Sequence, residues 1–150
     1  MTTRTKSTHR ESALDETEST ELIGAEANGG AFAALGLGPE LLRAVTDSGY
    51  KEPTPIQRDA IPLALRGRDL IGLAQTGTGK TAAFTLPIVQ RLLGGPRRVR
   101  ALVLTPTREL CLQVKDSFNR YSLHSDIEVV ALCGGVELPP QQRALRKGVD

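Results

Sequence analysis

Eight residues, Ala74-Gln75-Thr76-Gly77-Thr78-Gly79-Lys80-Thr81, restrict this chain more than any other run in it. They read A-x-x-x-x-G-K-T, one residue from the phosphate-binding loop G-x-x-x-x-G-K-[ST]. Such a loop works only between a strand and a helix, and its flanks agree. Asp69 to Ala74 reads as a short buried strand, and the apolar run Ala82-Ala83-Phe84-Thr85-Leu86 as part of a helix beginning at Gly79. Gly77 and Gly79 supply positive φ and leave no Cβ in the way, so successive N–H groups can converge on an anion. The helix start adds free N–H groups and the positive end of its dipole. The pattern therefore implies a nucleoside triphosphate with Mg2+. Lys80 is expected on the β- and γ-phosphates and the Thr81 hydroxyl on the metal. A glycine- and threonine-rich turn that merely contains a lysine is the bland alternative.

The charge is unevenly spread. Residues 1–30 hold three of the 19 Lys/Arg and six of the 17 Asp/Glu, a net of −3. With few large apolar groups, that segment is expected to be a disordered tail. Residues 31–150 keep 16 basic and 11 acidic residues, a net of +5, which suits a polyanionic partner as well as an ordinary solvated surface. No apolar run is long enough to span a membrane, and no hydrophobic segment follows the basic start as a secretory signal requires. Cys111 and Cys133 form no C-x-x-C pair, so no zinc site is expected. Both lie in apolar segments and read as buried small residues of a protein in a reducing cytosol.

Along the rest of the chain, helices are expected at 39–48, 55–65, from Gly79, at 107–121 and at 140–147. Pro62 is placed to kink the second and Pro87 to interrupt or bend the third. Strands are expected at 69–74, 99–105 and 127–132. Strands alternating with helices imply a parallel sheet flanked by helices, an α/β sandwich.

Four motifs in order give a family resemblance. Phe32 lies 17 residues before Gly49, and Gly49-Tyr50-Lys51-Glu52-Pro53-Thr54-Pro55-Ile56-Gln57 resembles the adenine-reading Q motif of DEAD-box RNA helicases. Ala74 to Thr81 is similar to their phosphate loop, the leading alanine included. Pro106-Thr107-Arg108-Glu109-Leu110 resembles their first RNA-contacting motif, and Gly134-Gly135 their glycine doublet. The resemblance covers about Phe32 to Asp150 and implies a RecA-like domain, residues 31–150, incomplete at its C-terminal side.

It further implies that Gln57 reads adenine, which an amide with both donor and acceptor suits. Phe32 would supply an aromatic face against the adenine ring, with a hydrophobic anchor for the helix at 39–48 as the lesser alternative. Tyr50 is expected to pack under the turn. Pro106, Thr107, Arg108, Gly134 and Gly135 would hold RNA by its backbone. Cys111 departs from the family's usual alanine. ATP hydrolysis also needs carboxylates for the metal and for the attacking water. The Asp-Glu-Ala-Asp run that supplies them in this family does not occur in the 150 residues, and Glu137 and Asp150 are isolated acids. The resemblance thus implies the N-terminal part of an ATP-dependent RNA helicase, an RNA-stimulated ATPase when complete and inactive as these 150 residues. A non-catalytic nucleotide- or RNA-binding fragment is the alternative. A phosphate-loop kinase would leave Gln57 and 106–110 unexplained.

Overall fold

A computed structural model describes residues 30–150 of the chain. The tail expected over 1–30 therefore lies, apart from Gly30, outside the described residues. A 3-10 turn, Gly30–Leu35, opens the described part. Five helices follow: α1 Pro39–Asp47, α2 Pro55–Leu65, α3 Lys80–Leu92, α4 Arg108–Tyr121 and α5 Leu138–Arg146.

The helices form where the sequence signals them. Pro39 opens α1 and Pro55 opens α2, each at a first helical position where a missing N–H costs nothing. Gly49 and Gly67, both with positive φ, end them. The N-cap of α4 is Thr107, whose Oγ1 accepts from the Leu110 N–H at 3.2 Å. Both prolines lie inside their helices, and α3 runs through Pro87 and α2 through Pro62 without a break. An internal proline costs a helix about 3 kcal/mol. Pro87 is fully buried between Leu86 and Val89, and packing on that face outweighs the lost hydrogen bond.

Helix α3 is the spine. Helix α2 packs on one side of it and α4 on another, and α1 touches α3, α4 and the 3-10 turn. The core between them holds Phe32, Leu41, Val45, Ile61, Leu86, Val89, Val114, Phe118 and Tyr121. Phe84 and Phe118 meet at a tilted ring contact of 6.5 Å.

The three expected strands are a correction. Among the described residues no β-strand is formed, and residues 69–74, 99–105 and 127–132 run without a ladder. In two of these segments one side is covered, where Val103, Ile127 and Val129 pack against the helical core. Ile71 is 93% exposed, Leu73 88%, Leu102 79% and Leu104 84%. A parallel strand is held by slanted hydrogen bonds to neighbours and is normally buried on both faces. Here the apolar residues are present, but among the described residues no such ladder joins them. Asp150 ties two of the segments instead. Its carbonyl accepts from the N–H groups of Arg100 (2.6 Å) and Ala101 (2.9 Å), and its own N–H donates to the Glu128 carbonyl at 3.0 Å.

Candidate functional site

The phosphate loop sits between residues 69–74 and the start of α3. Gly77 (φ 80°) and Gly79 (φ 88°) are both left-handed, and Gly79 is the N-cap of α3. The Thr78 hydroxyl donates to the Gln75 carbonyl at 2.7 Å, closing the loop on itself. The Lys80 ammonium reaches back under the loop to the carbonyls of Ala74 and, at 2.6 Å, Gln75. An ammonium has three donors, so one remains to meet an anion above the loop. Thr81 follows in the first turn of α3, partly buried, and its carbonyl accepts from the Thr85 hydroxyl at 2.6 Å.

Gln57, 4% exposed, connects α2 to this loop. Its Oε1 accepts from the Thr54 N–H at 3.0 Å, one half of a capping box, and its Nε2 donates to the Gly79 carbonyl at 3.1 Å. A Cβ at Gly79 would come within 2.3 Å of Nε2 and 3.1 Å of the Thr54 Oγ1. Gly79 is thus required twice, for its φ and for the approach of Gln57. At Gly77 only the φ requires glycine, since a Cβ there meets nothing within 4 Å. The Thr54 Oγ1 is buried beside Gly79 without a hydrogen-bond partner.

Phe32 takes the anchoring role left open by the sequence. It is wholly buried in the core, and its ring stacks on Tyr50 at 6.2 Å with 22° between planes. No face of Phe32 is accessible to an adenine ring in this structure. Tyr50 packs as expected, and its hydroxyl is 2.9 Å from that of Tyr121. Burial, then the bond to Tyr50, pushes the Tyr121 phenol far above its ordinary range.

The other candidate residues collect at the start of α4. Pro106, Thr107 and Arg108 are exposed there, and so are Gly134 and Gly135. Cys133, which precedes the glycine pair, is close enough to Cys111 and Arg108 to be influenced by them electrostatically. Gly135 is left-handed (φ 72°), and a Cβ at either glycine would meet nothing within 4 Å. This doublet is open surface, available for a close approach. Sequence reading placed both cysteines in the interior, whereas each is only partly buried. It did not find Gln141, whose side chain brackets Cys133 by accepting from its N–H at 2.9 Å and donating to its carbonyl at 3.1 Å.

A phosphate loop braced by a buried glutamine, with a basic helix start and a glycine pair on one edge, is a composite few folds share. The family profile for DEAD/DEAH box helicase matches residues 54–150. The chain belongs to the DEAD/DEAH box helicase family. It is 52% identical over 116 residues to the ATP-dependent rRNA helicase rrp3 of Sclerotinia sclerotiorum, covering 77% of this chain and 24% of that protein. The rrp3 of Emericella nidulans is 46% identical over 138 residues, 92% of this chain and 29% of the relative. The chain therefore spans about a quarter of the length of the curated relatives it matches. Among solved structures, the RNA helicase Prp28 of Chaetomium thermophilum bound to ADP superposes with a TM-score of 0.69 at 46% identity, over 76% of this chain and 29% of that one. A DEAD box protein of Methanococcus jannaschii gives 0.69 at 35% identity, over 73% and 30%. The fold of this DEAD-box chain is accordingly RecA-like, with the helices in place and the sheet positions lacking their ladder. No described helix is long and apolar enough to cross a membrane.

Proposed function

We propose that this chain is the part of an ATP-dependent RNA helicase that grips ATP and one strand of RNA. The observation that carries the proposal is the bond from Gln57 to Gly79, which joins an adenine-reading position to a phosphate loop. Gln57 keeps one amide hydrogen and one acceptor lone pair beyond its two internal bonds, enough to select adenine over guanine. Ala74 to Thr81 would wrap the phosphates with backbone N–H groups. Lys80 would meet the outer phosphates, and Thr81 would give magnesium one oxygen. Bound magnesium would neutralise phosphate charge. Among the described residues no cluster of three acidic, histidine or cysteine side chains could complete its shell. The chain so read binds nucleotide without cleaving it.

Pro106, Thr107, Arg108, Gly134 and Gly135, all exposed, would offer surface that suits the backbone of single-stranded RNA. The relatives do not narrow the RNA further, because an rRNA helicase and Prp28 resemble the chain at comparable identity. Unwinding belongs to the larger proteins of this family. Free thiols at Cys111 and Cys133 suit a reducing compartment such as the cytoplasm. The test is titration of fluorescent ATP and GTP analogues into the chain and its Lys80→Ala and Gln57→Ala variants. Preferential ATP binding that Lys80→Ala removes and Gln57→Ala makes indifferent to the base is the expected result. Equal binding of both nucleotides by the unaltered chain would end this reading.

A further inference from the structure

One side chain spans the turn that carries Gly134 and Gly135. Gln141, in α5, reaches back over residues 133–137. Its Oε1 accepts from the Cys133 N–H at 2.9 Å, and its Nε2 donates to the Cys133 carbonyl at 3.1 Å. The same Nε2 lies 3.3 Å from the Glu137 carbonyl and 3.4 Å from that of Val136. A primary amide has two N–H donors and an acceptor oxygen, so this one group serves both ends of the turn at once. We propose that Gln141 is a positioning residue, which sets the Gly134-Gly135 turn in the conformation that meets the RNA backbone.

Apolar packing does not hold this turn. No residue of α5 is fully buried, and residues 134–137 are exposed. Backbone donors are scarce as well, because Pro139 and Pro140 in the first turn of α5 carry no N–H. Two adjacent glycines have the widest conformational freedom of any pair, and a Cβ on either would meet nothing within 4 Å. The left-handed Gly135, at φ 72°, is therefore fixed from the ends of the turn and not from its surroundings. Cys133 is one end, continuing the segment whose Ile127 and Val129 pack on the core, and α5 is the other. Gln141 joins them. A turn ordered before RNA arrives loses less entropy on binding, so the clip is expressed as affinity. A carboxylate at position 141 keeps the shape and the acceptor but sets lone pairs, in place of two N–H donors, against three carbonyls. The effect on RNA rests on the function proposed above; the clip itself does not.

The experiment compares the 150-residue chain with its Gln141→Glu and Gln141→Met variants. Hydrogen exchange read by mass spectrometry on overlapping peptides follows the Cys133 amide, and the anisotropy of a fluorescein-labelled oligouridylate follows RNA binding. Both variants should exchange faster at Cys133 while exchange in α3 stays at the parent's rate. Both should bind the oligouridylate roughly tenfold more weakly, the factor that the net loss of one or two such hydrogen bonds implies. Unchanged exchange at Cys133 overturns the clip. Faster exchange throughout the chain makes Gln141 a residue of the fold at large and overturns the positioning role. A Gln141→Met chain that binds RNA like the parent shows that bulk suffices and overturns the role of the amide. Failure of the unaltered chain to bind the oligouridylate counts against the proposed function, while the exchange pattern still decides whether Gln141 holds the turn.

Discussion

The side-chain amide of Gln57 donates to the carbonyl of Gly79 at 3.1 Å, and the space it occupies is the space a Cβ on Gly79 would need. The start of α2 and the N-cap of α3 are therefore fitted to one another through one glutamine and one glycine. The group proposed to read adenine from this position also braces the loop proposed to hold the phosphates.

Gly79→Ala should abolish nucleotide binding, whereas Gly77→Ala should weaken it by roughly tenfold. Both substitutions place alanine at positive φ, a cost of about 1–2 kcal/mol. Only at Gly79 does the new methyl also displace Nε2, 2.3 Å away. Titration of a fluorescent ATP analogue reads the difference, and equal losses at the two positions would contradict the fit between Gln57 and Gly79.

Gln57→Leu should lower stability by about 1 kcal/mol, because it removes the acceptor at the N-terminus of α2 and leaves the Thr54 N–H unpaired. Urea unfolding followed by far-ultraviolet circular dichroism measures this. A variant as stable as the parent would show that the bonds at 3.0 and 3.1 Å contribute nothing net.

The isolated chain should associate at micromolar concentration and bind hydrophobic dyes. Ile71, Leu73, Leu102 and Leu104 are largely exposed on segments whose backbone N–H and C=O groups lack a ladder. Ile71→Lys combined with Leu102→Lys should reduce light scattering without changing helix content. A monomeric parent with a sharp thermal transition would refute the expectation.

Asp150 should make stability sensitive to acid. Burial opposes its charge, but the Arg100 guanidinium 2.5 Å away, the Glu128 N–H and Arg97 prevail and hold its carboxyl below 3.8. A depressed carboxylate contributes stability that is present above its unfolded pKa and lost as pH falls through the folded one. The urea midpoint should therefore drop below about pH 4 in the parent, and by less in Asp150→Asn. Parallel curves for the two chains would remove Asp150 from the account.

No RNA-stimulated ATPase is expected from these 150 residues, with or without Lys80→Ala. Thr81 offers magnesium one oxygen, and among the described residues no acidic cluster supplies the rest. Phosphate release above background, lost on Lys80→Ala, would overturn this.

The helices were legible because each is specified locally. Prolines at 39 and 55, glycines at 49 and 67 and the Thr107 cap mark their ends within a residue or two. The phosphate loop was equally legible, since glycine conformation and a following helix start are short-range properties. Phe32 shows the limit: its residue type suits either a ligand face or a core, and only the positions of Tyr50 and the core around it selected the core.

The sequence alone determined the family and the chemistry proposed for the chain, because motifs such as Ala74–Thr81 are encoded within a few residues. Tertiary structure decided what depends on distant partners. It set the bond from Gln57 to Gly79, buried Phe32 in the core, and left 69–74, 99–105 and 127–132 without a sheet. The reason is range. A helix satisfies its hydrogen bonds within four residues, whereas a parallel strand satisfies none of them alone and takes its structure from whatever lies beside it.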